Sequence, residues 1–365
     1  MTTRRSSRTG VLCFSLVLGF ALQAGLAKPP GPPTSAPAGS TNRTMTLDVV
    51  VTDKSGNPIP GLQEQNFTLL DNNQPQKIES FRAVHGGAAT PDPPVEMILV
   101  IDQVNEDVTR VAYARDAIEQ FLKRNGGKLA RPVSTVFFSD TGTAFAVKPS
   151  QDGNAIVADL NQEKIGLRVI DRSQGVLGAD ARWDLSQKTL KQIADYELQR
   201  PGRKFLVWIS PGWPMISGPN LQLSSKQQQR LFSSIVGLSD ELRQARITLY
   251  SIDPLGTEDA GGFQPVFYKQ FLNGVKTPDQ VRFGHLALQV LAAQSGGRVF
   301  NSNNDVAGEI ATCDADANAF YVISFDGRPG DGPNEYHALA VKIDKPGLTV
   351  RTRAGYYAQP ESRQQ

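Results

Sequence analysis

Residues 95–101 read Val-Glu-Met-Ile-Leu-Val-Ile and run into Asp102. A nearly unbroken apolar run of this length is what a strand buried on both faces requires. The period then changes. Val111, Ile118, Phe121 and Leu122 recur at helical spacing, with Asp107 or Thr109 placed as N-cap and Gly126-Gly127 as the stop. Further along, Ser134–Phe138 and Ala144–Val147 read as two adjacent strands, followed by helices over 152–162 and 184–199. Arg203–Ser210 is a second buried strand. The helix expected near 224–244 carries Leu231, Ile235, Leu238 and Leu242 on one stripe. Arg246–Ile252 is a third strand, and a Gly-rich loop and a helix near 283–295 complete the series. Strands alternating with amphipathic helices predict an α/β domain over 95–315, a doubly wound, mostly parallel sheet covered on both faces.

The flanks are written differently. Thr46–Thr52 is rich in β-branched residues, and Phe67–Leu70 and Ile78–Phe81 follow as short strands around the turn Asp71-Asn72-Asn73. From Ala319 the style returns, with strands expected at 320–325, 336–343 and 348–352. Three strands cannot bury both faces of a sheet alone. The two flanks, 44–84 and 319–358, are therefore expected to form one small β-sandwich into which the α/β domain is inserted.

At 365 residues the chain has room for about two domains. With 39% hydrophobic and 20% charged residues it has the balance of a folded protein. The first 27 residues read as a cleavable signal peptide. Arg4, Arg5 and Arg8 precede the apolar run Val11–Ala24, and Gly25-Leu26-Ala27 supplies small residues for cleavage. Removing those three arginines takes the net charge from +2 to −1, so the basicity belongs to the leader. No later basic run argues for nucleic acid, and a membrane is expected only through an uncleaved leader. The Pro-rich stretch 28–43 reads as a linker. Cys13 lies in the leader, which leaves Cys313 alone and excludes an internal disulfide or a cysteine zinc cluster.

In open α/β sheets, ligands bind outside the carboxyl ends of the strands, where strand order reverses. The segments expected to converge there are Asp102–Glu106, the loop 171–183, Ser210-Pro211-Gly212-Trp213 and Asp253-Pro254. Ser210, Trp213, Asp180 and Asp253 are the candidate protein-binding edge, and Trp183, Trp208 and Trp213 a candidate aromatic patch.

A strand ending in Asp, a helix, two close strands, and later strands ending in Ser-x-Gly and Asp together resemble a von Willebrand factor type A domain. The flanks resemble the group described as von Willebrand A-related acidobacterial proteins. The phrases that carry this are Val50-Val51-Thr52-Asp53-x-x-Gly56-x-Pro58-x-x-Gly61-Leu62, Asn66–Leu69, Ser295-Gly296-Gly297 and Arg351-x-Arg353-x-Gly355-Tyr356-Tyr357. The resemblance implies a protein-binding domain whose adhesive members hold a divalent cation through Asp-x-Ser-x-Ser, a Thr and a second Asp, with one coordination position open for a partner's carboxylate. This chain departs from that set. Asp102 is kept, but Val104 and Glu106 stand at the serine positions, Pro211 stands where the second acid is expected, and Gly178-Ala179-Asp180 offers no Thr. Asn105 and Glu106 offer alternative oxygens, so Asp102, Asn105 and Glu106 are the candidate ligands for Mg²⁺ or Ca²⁺. The bland alternative has Asp102 closing its strand and capping the next helix.

Catalytic readings are thinner. Trp208–Gly212 is similar to a nucleophile elbow without its first Gly, and a base for Ser210 would have to be His85, His285 or His337. Asn301–Asp305 lacks the Gly and Glu of a calcium loop and reads as the N-cap of a helix over 305–312. The chain is thus expected to be an exported protein-interaction module, for adhesion or scaffolding, with a degenerate cation loop set and no enzymatic activity. The alternatives are a serine hydrolase-like enzyme using Ser210 and a structural component of an envelope assembly.

Overall fold

Alternation along the first buried strand sets the layering. The computed structural model of the chain describes residues 43–85, 94–145, 148–162, 175–214, 222–254, 256 and 268–361. The leader, most of the Pro-rich stretch 28–43, residues 86–93, Ala146-Val147 and most of the Gly-rich loop lie outside them. In strand β5 (Val95–Asp102), Met97, Leu99 and Ile101 enter one hydrophobic core, while Ile98 and Val100 enter another. A strand places successive side chains on opposite faces, so an unbroken apolar run needs a core on each side. Helices α1 (Val108–Leu122), α2 (Gly153–Gln162) and α6 (Val306–Ala315) supply the first core. Helices α3 (Gly175–Leu198), α4 (Ser225–Gln244) and α5 (Leu288–Gln294) supply the second.

Between these layers lies a seven-stranded sheet. It comprises β5, β6 (Lys128–Ser139), β7 (Gly142–Phe145), β8 (Ser150–Asp152), β9 (Arg203–Ile209), β10 (Ile247–Ile252) and β11 (Val299–Phe300). The order is β11-β10-β9-β5-β6-β7, with β8 also on β6. The ladders from β11 to β6 are parallel, and only β7 and β8 run antiparallel. From β5 the chain moves outward to β6, then returns to place β9 on β5's other side. The topological switch therefore falls between β5 and β9.

Two separate four-stranded antiparallel sheets take strands from both ends of the chain. One has the order β14-β1-β12-β4, from β1 (Thr44–Thr52), β4 (Ser80–His85), β12 (Ala319–Asp326) and β14 (Thr349–Arg351). The other is β15-β13-β2-β3, from β2 (Phe67–Asp71), β3 (Gln74–Gln76), β13 (Glu335–Ile343) and β15 (Gly355–Ala358). Leu47, Val49 and Val51 of β1 and Tyr321, Ile323 and Phe325 of β12 share a third core with Leu69 and Leu339 from the other sheet. Val50, Phe320 and Val322, on the opposite faces of the same strands, join the first core of the α/β region. The β2–β3 hairpin turns on Asn72 and Asn73, both at positive φ (48° and 63°), the conformation that a two-residue hairpin loop demands and Asn tolerates.

Polar contacts tie the flanking strands to the central sheet. Buried Arg203, at the start of β9, has its guanidinium 4.4 Å from the Phe205 ring centroid and 4.6 Å from that of Phe320. Asp48 of β1 pairs with Arg246, and Asp316 accepts from Tyr250 (2.9 Å) and Arg351 (2.6 Å). The Ser-Gly-Gly phrase has a steric cause. A Cβ on Gly296 (φ +89°) would sit 2.7 Å from the Thr352 carbonyl carbon, and one on Gly297 1.8 Å from the Leu249 carbonyl oxygen. The end of α5 thus closes directly on β10 and on the segment leading to β15.

Several sequence expectations need correction. The helix expected from 184 already runs from Gly175, so 175–183 is helix and not loop; 171–174 lie outside the described residues. The helix expected over 283–295 is a 3-10 turn (Phe283–Leu286) followed by the short α5. It breaks at Ala287, which is extended (φ −66°, ψ 144°), after the His285 ring accepts the Arg282 N–H and Phe271 packs on Gly284. His85 closes β4 opposite Ala319. The expectations omitted β3, β8, β11 and β15, each of two to four residues, too short to show a period.

Candidate functional site

The switch between β5 and β9 brings Asp102 beside the end of β9, where Ile101 is paired with Ile209. Asp102 is 2% exposed. Its Oδ1 accepts the backbone N–H groups of Val104 and Asn105, both at 2.9 Å. Its Oδ2 accepts the Asn105 side-chain amide at 2.8 Å and the Trp208 indole N–H at 2.9 Å. A carboxylate offers about four lone-pair positions, and all four are taken by the protein. Burial raises the Asp102 pKa, and the donors from Asn105, Trp208 and Val104 oppose the rise. The loop after β5 is thereby folded back on its own strand end, ready for Asp107 to cap α1 by accepting the Arg110 N–H at 3.0 Å.

The neighbouring positions complete this picture. Asn105 also donates to Ser186 Oγ (3.0 Å), which itself donates to the Arg182 carbonyl (2.8 Å), tying the loop to α3. Val104 is fully buried in the second core. Ser210 is fully buried, with its N–H on the Ile252 carbonyl and its Oγ accepting the Gly212 N–H at 3.2 Å. Gly212 stands at φ +111°, a backbone conformation that strains any L side chain.

Of the candidate cation ligands, Asp102 is already committed, while Asn105 Oδ1 and both Glu106 oxygens are buried without a hydrogen-bond partner. The lone pairs of Asp102 are committed, Val104 is apolar, and Asp180 is exposed on α3 rather than in a converging loop. No group of three acidic, His or Cys side chains among the described residues is arranged to hold a metal. Of the candidate edge, Ser210 and Trp213 are buried, and Asp253 is half-buried. The aromatic patch is interior instead. Trp208 and Trp213 stack edge-to-face at 5.3 Å inside the second core, and Trp183 is half-buried against Phe283.

Two groups absent from the candidate list or misjudged in it stand out. Glu106 is 2% exposed and neither carboxylate oxygen has a hydrogen-bond partner. Burial, with Asp102 and Asp253 nearby, raises its pKa well above the ordinary carboxylate range, and Arg110 opposes the rise. Glu309, in the first turn of α6, is also buried with both oxygens unpartnered. Burial and the nearby Asp305 and Asp253 push its pKa up to about 7, opposed by Arg298. The signal for Glu309 was present in the sequence as an acid within the largely apolar helix Val306–Ala315, four residues, about one turn, after the cap Asp305. The role of Trp208 as a donor to Asp102 had no local signal, because the partners are 106 residues apart.

The three histidines lie in other elements of the chain. His85 is in the β4–β12 ladder, His285 accepts the Arg282 N–H, and His337 is hydrogen-bonded to Asp71 at 2.9 Å.

No protein-family profile and no curated protein matches the chain. Among solved structures it is similar to an aerotolerance-related membrane protein from Bacteroides fragilis, at 14% identity and a TM-score of 0.32, covering 61% of this chain and 98% of that one. It is also similar to the SpRpn10 VWA domain, at 11% identity and a TM-score of 0.30, covering 60% and 93%. A third is the pilus adhesin SpaC from Lactobacillus rhamnosus GG in its open conformation, at 10% identity and a TM-score of 0.38, covering 84% of this chain and 51% of the adhesin. Likeness of this depth bears on neither partner nor activity. The architecture stands on the strand order itself. No helix among the described residues is long and apolar enough to cross a membrane.

Proposed function

We propose that this chain is an exported protein-interaction module of the von Willebrand type A kind. Its α/β domain is carried on a β-sandwich built from both ends of the chain, and its cation loops are degenerate. The observation that carries the reading is Asp102. The residue that would lead a cation loop is committed at every lone pair to closing its own strand end. Export rests on the leader Met1–Ala27, and the β-sandwich reading is supported by the core that the two flanking sheets share. A non-catalytic role is supported by the buried Ser210, whose hydroxyl holds the Gly212 N–H, and by the ring contacts of His285 with the Arg282 N–H and of His337 with Asp71.

Recognition then falls to the loops around the carboxyl edge, without a bridging metal. The test is capture of a partner from the organism's own cell envelope by the chain from Lys28 onward, followed by titration of the purified pair. The expected result is one saturable complex whose affinity is the same in EDTA and in millimolar Mg²⁺ or Ca²⁺. Saturable Mg²⁺ or Ca²⁺ binding lost in Asp102→Ala would overturn the degenerate site. Ester hydrolysis lost in Ser210→Ala would overturn the non-catalytic reading.

A further inference from the structure

The segments that lead into α1 and α6 hold buried oxygens with nothing to accept. Both carboxyl oxygens of Glu106, in the loop before α1, and both of Glu309, in the first turn of α6, are enclosed without a hydrogen-bond partner. Glu106 is 2% exposed and Glu309 4%. Asn105 Oδ1, next to Glu106 in the chain, is in the same state. The other acids of these segments are occupied. Asp102 accepts four hydrogen bonds, Asp107 caps α1 and pairs with Arg110 at 3.4 Å, and Asp305 accepts the Gly308 N–H at 2.9 Å.

Asp253, directly after β10, stands near both glutamates: beyond the effect of burial, its charge helps to raise the pKa of each. It is half-buried, so the set opens to solvent on its side. The neighbouring cations bond to neither glutamate. Arg110 is held by Asp107, and the Arg298 guanidinium lies 4.8 Å from the Phe300 ring centroid. Buried oxygens that only accept, in a surplus of negative charge, call for a guest that only donates and is positively charged. No three acids among the described residues are arranged to hold a metal ion. An ammonium group on a flexible stem reaches further, because its three N–H donors engage carboxyls contributed by separate elements. A guanidinium suits one carboxylate met as a planar fork, whereas here the oxygens come from three different segments.

We propose that a lysine side chain of the binding partner enters this edge beside Asp253 and sets its ammonium within reach of the Glu106 and Glu309 carboxyls. The partner then supplies the positive charge itself. This chemistry rests on the interaction reading above and names what the partner presents at the carboxyl edge.

The test uses the chain from Lys28 onward, isotope-labelled and titrated at low ionic strength with a tri-lysine peptide blocked at both ends, read by backbone amide shifts. The controls are the same peptide with every ammonium acetylated, a tri-arginine peptide and spermidine. The expected result is saturable shifts centred on Glu106, Asp253 and Glu309, none with the acetylated peptide, and weaker binding of the arginine peptide and of spermidine. Glu106→Gln combined with Glu309→Gln keeps the side-chain shapes and should weaken binding about tenfold or more. Asp253→Asn, at the half-buried entrance, is a separate variant with the same expected direction. Glu64→Gln and Asp195→Asn, at exposed acids elsewhere, should leave binding unchanged. Absence of saturable shifts at these amides in the parent chain, equal shifts with the acetylated peptide, or binding unchanged in the folded edge variants would overturn the proposal. Binding of the arginine peptide or of spermidine as tight as that of the lysine peptide would overturn the lysine assignment. No natural partner is present in this titration, so its failure is distinguishable from failure of the envelope capture, which tests the interaction reading.

Discussion

Asp71 and Glu106 are two buried carboxylates in two regions of one molecule, and they are treated in opposite ways. Asp71 closes β2 in the flanking sheets. It is fully buried, with Oδ1 bonded to the His337 ring at 2.9 Å and Oδ2 accepting the Tyr356 hydroxyl at 2.7 Å. Tyr356 in turn accepts the Arg328 N–H at 2.9 Å. Glu106 sits at the carboxyl edge of the central sheet, equally enclosed, and receives no donor. A buried polar group with all its partners fixes a structure; one without them stores free energy. The flanking sheets are thus a finished framework. The strand-end loops keep uncompensated groups at the edge where α/β folds take ligands.

The contrast can be broken most forcefully at Asp71. Asp71→Ala strands His337 and the Tyr356 hydroxyl in the interior and should lower unfolding stability by about 4 kcal/mol, read by chemical denaturation. A loss below about 1 kcal/mol would mean that the network adds little.

Glu309 gives the next largest effect, and its sign follows from its pKa. In the unfolded chain the carboxyl titrates near 4.5, and in the folded chain at about 7. The folded state therefore holds the proton more tightly. The stabilisation is complete below the lower value and is lost as pH rises through the higher one. The parent chain should lose about 3 kcal/mol between pH 4.5 and 8 from this group, and Glu309→Gln should flatten that part of the profile. An unchanged slope in the variant would place the titration elsewhere.

A smaller loss is expected at the switch point. Trp208→Phe removes the indole donor to Asp102 and leaves a small void, for a loss of about 2 kcal/mol. Combined with Asp102→Asn, the two changes should be non-additive by about 1 kcal/mol in a double-mutant cycle. Additivity would show that the 2.9 Å contact carries no coupling.

The smallest effect has the opposite sign. Glu106→Met should stabilise the chain by about 1 kcal/mol at neutral pH, because a buried carboxylate without partners is replaced by an apolar side chain of similar volume. Destabilisation would mean that Glu106 has a partner in solution, and the contrast with Asp71 would fall.

Legibility in the sequence followed the range of the interaction. Asp107 and Asp305 were readable as N-caps because cap and target lie within three residues, and both accept the expected N–H. Arg203-Lys204 stand at the head of an apolar strand with no local partner in the sequence. Their explanation is distant: two aromatic rings bracket Arg203, and Lys204 donates to the carbonyls that end α3 and α4. Asp102 was recognised as a pivotal residue, and the Val104 and Pro211 departures were visible at once. That its lone pairs were spoken for was not visible, since Trp208 reaches it from a strand 106 residues away. Trp213 and Ser210 were assigned to an exposed edge because position along a strand says where a residue lies, not what covers it.

The sequence by itself determined the alternation of apolar runs and amphipathic helices, and with it the parallel sheet covered on both faces. Local period is enough for that, because each strand or helix must bury whatever face it makes. It also determined that the two ends of the chain share a β style. Only the tertiary structure decided that β1 pairs with β12, that Asp102 is closed off by Trp208, and that the carboxyl oxygens of Glu106 and Glu309 are buried without a hydrogen-bond partner. Those outcomes depend on which side chains meet across a hundred or more residues, and no local pattern encodes that choice.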